Sequence, residues 1–174
     1  MRGLKQYLAV LAVMAFGLPS LAVRAADSFS LNGEVLLVVR GKVVDLVCVI
    51  GQDCPPNCGA GQRQLGVLTG DNKLYVAAKS SANFAGLTHD LLPLCGQQII
   101  ADGLTTTSFG TILLMIQGIK LRDADKFVET DQFLKDWAAA HKTTPDSKLT
   151  EEWFRNDAVV TAAVAKRGKT GVKE

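Results

Sequence analysis

The sequence predicts a mainly β fold with C-terminal helices: a five-stranded OB-like Greek-key barrel over residues 26–122, followed by an α-helical arm and basic tail over residues 123–174. Three observations carry this. Five apolar, β-branched stretches are separated by Gly, Pro, Asp and Asn clusters, in the order strand, hairpin, short helix, hairpin, which is the OB order. The first stretch is long and carries Gly41 at its middle, where the long strand of a small barrel has to bend to serve both sheets. From Asp123 onward the apolar residues fall at helical rather than alternating spacing.

Residues 33–49, Gly33-Glu-Val-Leu-Leu-Val-Val-Arg-Gly-Lys-Val-Val-Asp-Leu-Val-Cys-Val49, read as one strand kinked at Gly41 or as two short ones. Residues 50–63 have no hydrophobic period and contain Pro55 and Pro56, so a loop is expected. Residues 65–69 and 73–78 flank Gly70-Asp71-Asn72, and that turn chemistry predicts a hairpin. Within 80–94, Ser80-Ser81 can cap a short helical turn spanning 83–92. Residues 97–105 and 111–121 are two further strands joined through Ser108-Phe109-Gly110.

In the arm, Phe127, Leu134, Trp137, Ala138 and His141 share one helical face, with Asp131, Gln132, Lys135 and Asp136 elsewhere on the wheel. Thr143-Thr144-Pro145-Asp146 breaks the chain. Thr150 before Glu151 and Glu152 reads as an N-cap with an acidic first turn. Trp153, Phe154, Ala158, Val160, Ala162 and Val164 then supply a stripe that ends at Lys166, Arg167 and Gly168.

The chain has 174 residues, 48% hydrophobic, 21% charged and 6% aromatic, which excludes a disordered tail or a collagen-like protein. Its formal charge of +2 is a property of the first segment. Arg2 and Lys5 precede an apolar run over residues 7–16, and Val23-Arg24-Ala25 before Ala26 places small residues at the two positions a signal peptidase reads. Residues 1–25 are therefore expected to be a secretory signal peptide, directing the chain to the periplasm with no transmembrane span after cleavage. Removing them leaves sixteen basic residues against seventeen acidic ones. A nucleic-acid role loses its support, because phosphate binding needs concentrated Lys and Arg, and the barrel segment has few aromatics for stacking.

Four cysteines, Cys48, Cys54, Cys58 and Cys95, lie within the barrel segment. An even count in an exported chain suggests two disulfides. Three connectivities are open; Cys48 with one of the loop cysteines and Cys95 with the other is favoured, because Cys95 immediately precedes a strand that the sheet can bring near the loop. The alternative is a thiolate site for copper or zinc using the same four sulfurs. Cys54-Pro-Pro-Asn-Cys58-Gly59 resembles the dinuclear copper loop in subunit II of haem–copper oxidases, but Gln62 and Leu65 stand where that loop has His and Met. Catalytic constellations are thin. His89-Asp90 is the one base-and-orienter candidate, and Glu34, Asp45, Asp53, Asp71 and Asp102 are expected at strand ends and loops, solvated or capping turns. No catalytic residue and no cofactor site are assigned.

The run Gly41-Lys-Val-Val-Asp-Leu-Val-Cys48, then Cys54-x3-Cys58, then Leu65-Gly-Val-Leu-Thr-Gly-Asp-Asn-Lys-Leu-Tyr75, resembles a group of small exported bacterial proteins with an OB-fold-like barrel. The resemblance covers residues 33–121 and implies fold and compartment. The His that often precedes the cysteines in that group is replaced here by Gln52 and Asp53. The function expected is that of a non-catalytic periplasmic accessory subunit. Its helical arm would dock through Phe127, Leu134, Trp137, Trp153 and Phe154 on a larger periplasmic protein, a membrane-associated redox enzyme being the partner class. The alternative is a cysteine-rich copper- or zinc-binding protein.

Overall fold

The structure is a computed structural model that describes residues 26–30, 32–79 and 86–167. The expected signal segment, the Ser80-Ser81 cap with the start of its helix, and the tail from Gly168 lie outside the described residues. Five strands form a closed barrel: β1 (Val35–Asp45), β2 (Leu65–Leu68), β3 (Leu74–Lys79), β4 (Gln98–Ser108) and β5 (Thr111–Leu121). They run in the order β3-β2-β1-β4-β5, and a parallel β3–β5 pairing closes the ring. All other barrel pairings are antiparallel. This is the OB arrangement predicted, with a sixth strand, β6 (Val128–Glu129), added outside β5.

The long first strand serves two partners in turn. Residues 35–42 pair with β4, while residues 42–45 pair with β2. The switch falls at Gly41 and Lys42. A Cβ at Gly41 would sit 2.6 Å from the Leu68 carbonyl oxygen and 2.7 Å from Val67 Cγ1, so glycine is required there for close approach of β1 to β2. A second irregularity lies between Asp102 and Gly103, where β5 carries Gln117 as an extra residue opposite β4.

Inside the ring, Val43, Leu65, Val67, Ile99, Leu114 and Ile116 are fully buried. The short helix α2 (Leu87–Leu91) contributes Leu87 and Leu91 to the same cluster, so it joins the barrel core between β3 and β4. Two-residue chemistry closes the β4–β5 hairpin: Phe109 and Gly110 take φ of 50° and 75°.

The local departures from expectation have physical causes. The segment after Asp45 was expected to continue as strand to Val49, on its Val47 and Val49. It is instead a helix, α1 (Leu46–Gly51), because the Asp45 carboxylate accepts from the Val47 and Cys48 amides at 2.8 and 3.2 Å. The Gln52 amide closes the far end by donating to the Cys48 carbonyl at 3.0 Å. In the arm, the first helix, α3 (Gln132–Ala140), begins later than Phe127 because β6 occupies the preceding chain. The expected second helix is three pieces, α4 (Lys148–Glu151), α5 (Trp153–Asn156) and α6 (Ala158–Arg167). Ser147, not Thr150, caps α4; Thr150 is buried and its hydroxyl donates to the Thr144 carbonyl at 2.8 Å. Asp157 breaks the run by accepting from the Val159 and Val160 amides at 2.9 and 3.0 Å.

Candidate functional site

The cysteines occupy one rim of the barrel. Cys48 on α1 is bonded to Cys54 in the loop behind it, with Cα atoms 4.4 Å apart, and Cys58 is bonded to Cys95 at 6.0 Å. This is one of the two pairings favoured from sequence. No cysteine is left free, so every sulfur that could act as a thiolate ligand is held as cystine. Cys58 lies in a 3-10 segment, Pro56–Gly61, in which Asn57, Cys58, Gly59 and Ala60 all adopt left-handed φ of 48–70°. Such a run is held by its surroundings rather than by its own preference. Arg63 is the second clamp: its guanidinium donates to the Asp53 carbonyl at 2.8 Å and the Asp53 carboxylate at 2.6 Å, and lies 3.5 Å from the buried Asp45 carboxylate. These hydrogen bonds and the neighbouring carboxylates raise the Arg63 pKa.

A cleft of about 360 Å³ opens between the segment entering the barrel, the β5–β6 pair and α3. Phe127, Val128 and Leu134 give it an apolar wall, and Lys79, Asp102, Gln117 and Thr130 a polar floor. Lys79 and Asp102 are only 6% and 5% exposed. Lys79 Nζ faces Asp90 Oδ2 at 3.7 Å, and neither atom has a hydrogen-bond partner. Burial pushes the Lys79 pKa down and the Asp90 pKa up, each partly countered by the charge of the other. Asp90 also anchors the arm, because its other oxygen accepts from the Gln132 amide at the start of α3 at 2.9 Å. Burial likewise holds the Asp102 carboxyl above the usual range.

Sequence reasoning missed this cleft. Asp102 was expected at a strand end, solvated or capping; it is instead buried in the middle of β4, beside the irregular pairing with β5 and on the opposite face of the strand from the core residues Ile99 and Ala101. A usable signal was present: Lys79 follows Tyr75 and Ala77 on the inward face of an alternating strand, where a charge needs a partner.

The expected partner-binding residues fall into different environments. Trp137 is 7% exposed and stacks on His141, with ring centroids 3.8 Å apart. Phe127 and Leu134 line the cleft, and Lys120 lies over the Phe127 ring at 5.2 Å. Trp153 sits edge-on between Phe133, at 5.0 Å, and Phe154, at 6.2 Å. Phe154 is exposed, and α6 buries none of its residues. His89 and Asp90 do not act together: His89 pairs with Asp136 of α3 at 2.9 Å, both at the surface, while Asp90 turns to Lys79. The Gln132 side chain and then His89 hold the Asp136 carboxyl below its usual range. These contacts tie α3 to α2.

A run of exposed apolar residues lies elsewhere, on β1. Val35, Leu36, Leu37 and Val38 are all 37–56% exposed, and Phe109 at the hairpin tip is fully exposed. Among the described residues, β1 has no strand partner over residues 35–41 on the side away from β4. Neither feature had a sequence signal beyond the apolar run itself, which reads equally as core.

Two cystines with no free thiol indicate an oxidising compartment outside the cytosol. Among the described residues, no helix is long and apolar enough to cross a membrane, and no group of three or more His, Cys, Asp or Glu is placed to hold a metal ion. No family model, no curated protein and no solved structure matches the chain at a significant level.

Proposed function

We propose that this chain is a non-catalytic accessory subunit of the periplasm that docks on a larger protein partner, and that the first half of β1 with the β4–β5 tip is the principal docking surface. The observation that carries the reading is the open edge of β1. Four consecutive large apolar residues, 35–38, stay exposed on a strand whose outer side lacks a partner over residues 35–41 among the described residues. Unpaired apolar strand edges are a hazard that proteins usually blunt with charge or cover. Here the register sets Val35 opposite Thr105, so Phe109 lies about 13 Å farther along the same ribbon at roughly 3.3 Å per residue. An added strand from a partner would satisfy the edge and bury Phe109 as an anchor. The exposed outer helices, with Phe154 and Val159, offer a second contact.

The test is size and composition of the complex formed by a tagged chain at its native level, purified in mild detergent. We expect elution with a larger protein. The double variant Leu36→Lys, Val38→Lys, on the outward face of β1, is expected to lose that protein while keeping its thermal midpoint. Elution of the parent chain as a lone monomer would overturn the proposal, and so would retention of the partner by the double variant.

A further inference from the structure

The first described residue is buried. Ala26 is 8% exposed, and its backbone nitrogen lies 3.4 Å from Asp102 Oδ1. It is held there by Gln117, the bulge residue of β5, which clamps Asp27 on both sides: the Asp27 amide donates to Gln117 Oε1 at 2.9 Å, and Gln117 Nε2 donates to the Asp27 carbonyl at 2.7 Å. The bulge thus does two things at once. It sets Gln117 beside Asp102 in the cleft and provides the side chain that lays residues 26 and 27 across it.

Asp102 has an electrostatic deficit in this arrangement. A buried carboxylate needs a cation or several donors. Its partners are the amides of Ala26 and Gly103. Lys79 lines the same cleft, but its nitrogen is directed to Asp90. The missing positive charge has an evident source. The sequence places the signal-peptidase site between Ala25 and Ala26, and hydrolysis of that amide consumes one water, leaving a carboxylate on Ala25 and an ammonium on Ala26. The nitrogen that gains the charge is the nitrogen already facing Asp102.

We infer that Asp102 is the docking site for the N-terminal ammonium created when the leader is removed at Ala26, so that export processing completes a buried ion pair inside the barrel cleft. The unprocessed chain makes only a neutral amide contact there; the processed chain gains a charge-assisted one. Processing therefore locks residues 26–27 onto the β4–β5 bulge. The inference rests on the leader reading of residues 1–25 and is independent of any partner.

The experiment compares the exported, processed protein with the same chain carrying an N-terminal acetyl group at Ala26, each with Asp102 and with Asp102→Asn. Mass analysis and N-terminal sequencing of the exported form should find Ala26 first. The free-amine form should have a folding constant at least about ten-fold above the acetylated form near pH 7, and Asp102→Asn should abolish that difference. The charge pair should hold the α-ammonium pKa above its ordinary range of about 7.7–8.0, read by NMR on the processed chain, so the readout survives even if Asp102→Asn fails to fold. A raised amine pKa gives stability that is full below pH 8 and is lost as pH rises through the folded value. The other titratable groups lining the cleft, Lys79 from β3, Asp27, Glu129 from β6 and Asp131, are common to both forms, so the difference isolates Ala26. A different first residue, equal stability of the two forms, or an α-ammonium pKa in the ordinary range would each overturn the inference.

Discussion

Removing each disulfide in turn separates what the two bridges supply. The Cys58–Cys95 bond spans a sequence separation of 37 residues and the Cys48–Cys54 bond only 6. On the chain-entropy relation these closures contribute about 4 and about 2 kcal/mol at 25 °C. Cys58 also sits in the turn where Asn57, Cys58 and Ala60 take left-handed φ, a conformation that such residues do not hold by their own preference. Freed of Cys95, that turn should relax. The double variant Cys58→Ala, Cys95→Ala should therefore lose about 4 kcal/mol in urea unfolding, or about 8–16 °C in midpoint for a domain of this size. Cys48→Ala, Cys54→Ala should lose about half of that. Amide exchange at residues 57–62 reports the same event locally and should accelerate only in the first variant. Equal losses in the two variants, or the reverse order, would refute the view that long-loop closure makes Cys58–Cys95 the stronger staple.

Other consequences follow from single sites. Either Lys79→Met or Asp90→Asn alone should cost about 3–5 kcal/mol in chemical denaturation, because one charge of a buried pair 3.7 Å apart is left uncompensated; Lys79→Met with Asp90→Asn, which keeps an acceptor for the Gln132 amide, should recover most of it. Gly41→Ala should destabilise by about 1–3 kcal/mol, since the new Cβ meets the Leu68 carbonyl oxygen at 2.6 Å. Asp45→Ala should cost about 1–2 kcal/mol and lower helix content by circular dichroism, through loss of the α1 cap. Phe109→Gly should act with opposite signs: stability unchanged or raised by up to about 1 kcal/mol, since φ is 50°, and any partner complex weakened about ten-fold or more in a binding titration.

The barrel was legible because its signals are local. Asp71-Asn72 between alternating strands, and Phe109-Gly110 between two Ile- and Leu-rich runs, specify hairpins by turn chemistry alone. Residues 46–51 went the other way because β-branched residues argue for strand, while the deciding interaction, the Asp45 side chain on two amides, is a cap whose position depends on where β1 leaves the sheet. The arm shows a different limit. The apolar stripe containing Leu134 and Trp137 is the same whether α3 meets a partner or its own barrel, and the choice is made by groups outside the stripe. Asp90 holding the Gln132 amide and His89 holding Asp136 fix α3 onto α2. Such contacts pair residues more than 40 positions apart and leave no periodicity to read.

The two ends of β1 are built for different tasks. Its last residues lead into Asp45, α1 and the two cystines, and the segment after Cys95 is pinned to it by the Gly96 amide on the Val43 carbonyl at 2.9 Å and the Val43 amide on the Gln97 carbonyl at 3.0 Å. Its first residues, 35–38, forgo burial. An apolar edge left open weakens a small barrel twice, through lost burial and through fraying of the unpaired backbone. Covalent closure at the far end offsets that loss without using the surface that is left open. This division explains why the bridges cluster on one rim rather than spanning the barrel. It also sets an order of events: the cystines form only in an oxidising compartment, so the barrel that presents the apolar edge is covalently closed only outside the cytosol.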